Sequence, residues 1–139
     1  MQKLSLTLAT TLACFILSAC ATSGSSQNQA KYQMIDLAMA KQLHERDVLF
    51  IDIRSVVDYE AGHIPGAANI EPRRFTSNSL ARIARKDQEI VFYCYGIHCP
   101  LSDKASNKAL LWGYQKVYYF MKGFPEWWGA GYPIEQSPP

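Results

Sequence analysis

The chain has almost no excess charge. Its 139 residues carry 14 Lys and Arg against 12 Asp and Glu, and the basic side chains are scattered rather than massed on one segment. That lacks the electrostatic footprint of a nucleic-acid binder, so no nucleic-acid partner is expected. A long apolar run is missing too: the most extended one, residues 4–17, is shorter than a typical membrane-spanning helix requires. Cysteine is scarce, with four in all. No group of Cys, His and acidic residues has the spacing of a zinc framework, so neither a metal nor a cofactor is expected. There is no internal repeat, and low complexity is confined to residues 22–31. What is plentiful is apolar: 48% hydrophobic residues can fill one core in a chain of single-domain length.

Residues 1–19 read as an export signal. Met1-Gln2-Lys3 is a short positive start, and 4–17 is an apolar, threonine-rich core of the segment. It ends in Leu17-Ser18-Ala19-Cys20, an aliphatic residue, two small residues and a cysteine. This resembles the lipobox of bacterial lipoproteins. The resemblance implies cleavage before Cys20 and acylation of Cys20 by several chains, which together hold a protein on a membrane. The alternative is an ordinary signal peptide with a chance cysteine. Ala21 resembles the residue that sorts lipoproteins to the outer membrane in Gram-negative bacteria. The expected location is therefore the bacterial cell envelope, lipid-anchored, facing the periplasm in such a host. Residues 20–31 are the lipidated cysteine and a Ser, Gly, Gln and Asn-rich tether, 32–135 the folded domain and 136–139 a tail. Cys14 leaves with the signal, so only Cys94 and Cys99 remain as thiols, in a compartment where disulfides persist.

Within 32–135, apolar runs alternate with helical patterns. Asp36 is placed to cap a helix with Leu37, Ala40 and Leu43 on one side and His44 at its surface. The near-continuous apolar run 48–53 has the pattern of a strand buried on both faces of a parallel sheet. Asp52 and Arg54 stand at its C-terminal end, where open α/β sheets bind ligands. Ser55 opens a short helix through Val57 and Tyr59. A turn-rich loop, in which His63 reads as structural, leads to a short strand over 68–70. The pattern predicts a helix over 79–86, with Leu80, Ile83 and Ala84 inward and Arg82, Arg85 and Lys86 outward. A strand over 90–93 follows, then a helix over 102–112 ended by Gly113, a strand over 117–120 and a last short helix from Gly123. Trp127 and Trp128 read as core and rim. The expected fold class is α/β, a small open, mainly parallel sheet of about five strands with helices on both faces.

Chemistry concentrates where the strand over 90–93 ends on Cys94. The loop Tyr95-Gly96-Ile97-His98-Cys99-Pro100-Leu101 follows, and Ser102-Asp103 opens the next helix. A thiol at a strand end, facing loop N–H groups and a helix N-terminus, sits where its anion is stabilised. Cys94 is accordingly a candidate nucleophile; the alternative is a buried structural cysteine.

Three separate pieces resemble one family. Phe50-Ile51-Asp52-Ile53-Arg54, then Asp58-Tyr59-Glu60-Ala61-Gly62-His63-Ile64-Pro65-Gly66-Ala67-Ala68-Asn69-Ile70, closely resembles the N-terminal signature of rhodanese domains. The strand ending in Cys94 resembles the rhodanese active site. Trp112-Gly113-Tyr114, Val117-Tyr118 and Lys122-Gly123-Phe124-Pro125-Glu126-Trp127 resemble the C-terminal signature. The resemblance implies a rhodanese-like fold and a single-domain thiosulfate:acceptor sulfurtransferase. In that family a cysteine takes the outer sulfur of a donor such as thiosulfate, holds it as a persulfide and passes it to cyanide or a thiol. By position Cys94 matches the persulfide cysteine. The implied substrate is a small sulfur-containing anion or a thiol. Tyr95, Gly96, Ile97, His98, Pro100, Leu101 and Ser102 form the implied cradle, whose N–H groups face the transferred sulfur. Asp52 and Arg54 match framework positions supporting that loop through an ion-pair or hydrogen-bond network.

The departures from the family pattern are informative. Rhodanese loops often carry a cation between cysteine and helix, but residues 94–102 contain no Arg or Lys. His98 is the only ionisable base in the loop, and Lys104 lies just inside the helix. Lys122 stands where the family often has a second glycine. Cys99-Pro100-Leu101-Ser102 resembles a subset of exported rhodanese-like proteins with a Cys-x-Gly-x-x-Cys loop. Cys99 is either a loop-packing residue or a resolving thiol that attacks an oxidised Cys94 and closes a disulfide. In an oxidising compartment that bridge is also an inactive resting state. His98 is either a surface residue or the local cation. Three activities stay open: a sulfurtransferase using Cys94, a thiol–disulfide or persulfide relay using Cys94 and Cys99, and a non-catalytic module binding another envelope protein. A phosphatase is disfavoured, because the Cys-x5-Arg loop that chemistry uses has Pro100 at the arginine position.

Overall fold

The computed structural model describes residues 31–137. The signal and lipobox readings, Cys20 and nearly all of the tether lie outside the described residues. Among the described residues, no helix is long and apolar enough to cross a membrane.

Five strands form one parallel sheet: β1 (Gln33–Ile35), β2 (Leu49–Asp52), β3 (Ala68–Asn69), β4 (Glu89–Tyr93) and β5 (Lys116–Phe120). Their order is β1-β5-β4-β2-β3, which puts β4 at the centre. Asp52 is level with Tyr93, and Tyr93 with Phe120, so the strands end together on one edge of the sheet. Parallel strands need crossovers, and the helices supply them: α1 (Leu37–Glu45), α2 (Val56–Ala61), α3 (Ser77–Ala81), α4 (Leu101–Leu111) and α5 (Gly123–Gly129), with a 3-10 turn at Pro72–Arg74.

β4 shows why the sheet is covered twice. Side chains alternate along a strand, yet Ile90, Val91, Phe92 and Tyr93 are all fully buried. Ile90 and Phe92 pack with Leu80 of α3 and with Ala105 and Ala109 of α4. Val91 and Tyr93 pack on the opposite face with Leu43 of α1 and Trp127 of α5. The helix starts follow from local chemistry. Asp36 accepts from the Met39 N–H at 2.9 Å, and Ser55 from the Asp58 N–H at 3.2 Å, each satisfying a donor the first helical turn leaves spare.

The expected α/β sheet with helices on both faces is thus the observed one. Two elements differ from expectation. α3 begins at Ser77, under a Thr76 capping box, and ends at Ala81, so Ile83 is exposed rather than inward. Partners from elsewhere capture the carbonyls beyond it: Ala84 O accepts from the Tyr114 hydroxyl at 3.1 Å and Lys86 O from Gln115 N at 3.0 Å. β1 was not expected; it is a three-residue edge strand with only Ile35 buried. Two segments expected at the surface are instead tied to the domain. His44 is half-buried, with Nε2 3.0 Å from Pro65 O. Gln136 and Ser137 hydrogen-bond to Ala61 O and Glu60 O of α2.

Candidate functional site

The central strand delivers Cys94 to the C-terminal edge of the sheet, where it is 1% exposed. Its carbonyl oxygen accepts from Phe124 N at 3.0 Å, which ties the strand end to the start of α5. This approach requires glycine at 123. Gly123 has φ +59, and a Cβ there would collide with the Cys94 carbonyl.

The loop turns sharply at Gly96 (φ +119), whose carbonyl accepts from Cys99 N at 2.9 Å. That turn brings Cys99 back over Cys94, and a disulfide joins the two, with Cα atoms 6.5 Å apart. Among the described residues, the N–H groups of Tyr95, Gly96, Ile97 and His98 donate to no backbone carbonyl. The first N–H groups of α4 are spare by helix geometry. Pro100 starts α4 without a side-chain cap. Ser102, in its first turn, is buried and its Oγ has no hydrogen-bond partner. The loop and helix start therefore hold donors in reserve next to Cys94, a setting that favours an anion.

Asp52 and Arg54 stand below the loop as a buried pair. Arg54 Nη2 donates to Asp52 Oδ2 at 2.6 Å and to Gly62 O at 2.7 Å, and Arg54 N and Nε donate to Asp52 Oδ1 at 2.9 and 3.0 Å. Burial alone would lower the Arg54 pKa, but the Asp52 hydrogen bond and charge outweigh it and raise the value. The guanidinium also lies 4.2 Å from the centre of the Phe124 ring. Tyr93, beneath it, accepts from Ile64 N at 3.2 Å, and burial, followed by the Asp52 charge, pushes its pKa well up. Asp52 and Arg54 thus form a framework knot with no free acid or base.

Two further groups reach the loop. The Tyr95 hydroxyl donates to Asp58 Oδ2 at 2.5 Å, and the Ser55 hydroxyl donates to the same oxygen. These bonds, that of Ser55 first, hold the Asp58 pKa below the ordinary carboxylate range. Sequence reading did not single out Asp58; the Ser55-x-x-Asp58 spacing of a capping box was the available signal. An open groove of about 750 Å³ runs beside the loop, lined by Tyr95, Ile97, His98, Cys99 and Leu101 on one side and by Lys122, Pro125 and Glu126 on the other. Lys122 is brought to the groove by the β5–α5 turn. Its Nζ donates to Glu126 Oε1 at 2.6 Å, and this bond raises the Lys122 pKa. The other Glu126 oxygen is buried without a partner. His98 is exposed at the groove.

Comparison with known proteins agrees with this geometry. The family model described as "Rhodanese-like domain" matches residues 36–130. The thiosulfate sulfurtransferase GlpE of Pseudomonas fluorescens is 31% identical over 108 residues, which covers 78% of this chain and 94% of that protein. The HTH-type transcriptional regulator Rv0324 of Mycobacterium tuberculosis is 37% identical over 93 residues, 67% of this chain but only 40% of the regulator. Among solved structures, the BH2092 protein of Bacillus halodurans shares the fold with a TM-score of 0.68 at 24% identity, over 76% of this chain and 77% of that one. With its five-stranded parallel sheet and a match over most of its length, the chain belongs to the rhodanese-like domain family.

Proposed function

We propose that the protein is a sulfurtransferase that carries sulfane sulfur on Cys94. One observation carries the reading: buried Cys94 directly follows the central strand, and the N–H groups of the next four residues donate to no backbone carbonyl in the loop that leads to the N-terminus of α4. The Cys94 thiolate attacks the outer sulfur of thiosulfate. The S–S bond of the donor breaks, sulfite leaves with the bonding pair, and Cys94 holds a persulfide anion. Cyanide or a thiolate then attacks the outer sulfur and leaves as thiocyanate or a new persulfide, which restores the Cys94 thiolate. No proton moves at the sulfur centre, so no acid or base is needed, in keeping with Asp52 and Arg54 serving as framework. The backbone N–H groups of Tyr95, Gly96, Ile97, His98, Leu101 and Ser102 donate to the persulfide anion, with Lys122 as the nearby positive group. Similarity to a thiosulfate sulfurtransferase along nearly its whole length supports the same reading. The lipobox adds that the domain works at a membrane surface, on a short tether from acylated Cys20 in the cell envelope.

The disulfide favours a second reading, a thiol–disulfide or persulfide relay that cycles Cys94 with Cys99. Thiocyanate formation from thiosulfate and cyanide separates the two. The reduced protein should turn over, Cys94→Ser should not, and Cys99→Ser should keep turning over. Absence of turnover by the reduced protein, with loss of activity toward a dithiol in Cys99→Ser, selects the relay instead.

A further inference from the structure

We infer that the groove beside the active loop is a docking surface for a dithiol-bearing polypeptide, which opens the Cys94–Cys99 disulfide by attacking Cys99. The inference rests on reading Cys94 as the working thiol, and it concerns how that thiol is released. Of the two sulfur-bearing residues, only Cys99 lines the groove; Cys94 is buried beneath the loop. An incoming thiolate therefore meets Cys99 first.

The wall of the groove indicates what kind of reductant it fits. Ile97 is 56% exposed and Tyr95 45%, Pro100 and Leu101 continue the same wall, and Pro125 faces them across the groove. Single exposed apolar residues are ordinary, but a contiguous set around a reactive bond marks an interaction site. A small thiol has no apolar flank to bury on such a surface, whereas a peptide with apolar residues flanking its cysteines buries them against Ile97 and Tyr95.

The direction of attack agrees with the donors that follow Cys94. When a thiolate of the partner bonds to the Cys99 sulfur, the Cys94–Cys99 bond breaks. Cys94 leaves with the electron pair, as a thiolate, toward the unpaired N–H groups of residues 95–98 and the start of α4. A stabilised leaving thiolate departs faster. The partner's second thiolate then attacks its own sulfur in the mixed disulfide, which expels Cys99 as a thiolate. Two electrons pass to this chain, and the partner becomes a disulfide.

The test uses the oxidised full-length chain and three reductants at equal thiolate concentration: a Cys-Gly-Gly-Cys peptide flanked by leucines, the same peptide flanked by glutamates, and dithiothreitol. Opening is read by alkylating freed thiols and measuring mass. The leucine peptide is expected to open the disulfide about tenfold faster than either competitor, a factor typical of one apolar contact. Ile97→Asp should erase the ratio between the two peptides, and Leu111→Asp, at an exposed apolar site away from the groove, should leave it. A leucine peptide whose second cysteine is serine, quenched in acid, should be trapped on Cys99. Equal rates for the three reductants, a ratio that survives Ile97→Asp, or trapping on Cys94 overturns the inference. Sulfur uptake from thiosulfate by chemically reduced protein is a separate measurement, so failure here leaves the sulfurtransferase reading standing, and the reverse also holds.

Discussion

At the scale of single residues, the site depends on a few groups with no substitute. Arg54 is the counterion of the fully buried Asp52. Arg54→Met leaves that carboxylate buried and unpaired, which costs about 3–5 kcal/mol; urea denaturation should show a loss of that size. Lys122 and Cys99 illustrate how much of the site could be read from the residues alone. Cys94, Asp52 and Arg54 were legible because each ends a strongly apolar strand, and strand ends on a parallel sheet are where sites form. Cys99 was legible as a second thiol, but its pairing depends on the Gly96 turn, a conformation that the residue types permit and do not dictate. Lys122 lies far along the chain, and only the β5–α5 turn brings it to the groove. If Lys122 supplies the cation that the loop lacks, Lys122→Gln should raise the KM for thiosulfate several-fold and change kcat little, because it meets donor and transition state alike.

At the scale of elements, two connections hold the loop. The first is the β5–α5 turn, where Gly123 lets Phe124 N reach the Cys94 carbonyl. Gly123→Ala combines a strained φ with a backbone collision and should cost on the order of 2 kcal/mol or more, seen as a lower thermal midpoint together with loss of activity. The second is the bond from Tyr95 to Asp58 at the start of α2. A carboxyl whose folded pKa is depressed contributes stability that is complete above its unfolded value, about 4, and lost as pH falls through the lower folded value. Tyr95→Phe should therefore lower the thermal midpoint at pH 7, and the difference from wild type should shrink as the pH falls below the ordinary carboxylate range. Elements were legible where apolar periodicity was long, as in β2 and β4. They were not where tertiary contacts decide: Tyr114 and Gln115 draw the chain after α3 out of its helix, and β1 is too short for alternation to register.

At the scale of the whole molecule, the sheet places one buried cysteine at its central edge, and a second cysteine in the loop above is bonded to it. The fold explains both the stability of the site and its closed form: β4 is packed on both faces, which anchors the strand end, while the loop beyond it closes on itself through Cys99. Cys94, once uncovered, is expected to carry sulfur. Intact-mass measurement after incubation with thiosulfate tests this most directly. The prediction is a gain of one sulfur atom by the reduced protein and by Cys99→Ser without prior reduction, and no gain by Cys94→Ser or by the oxidised protein. A reduced wild-type protein that gains no sulfur, or a Cys94→Ser protein that does, would contradict it.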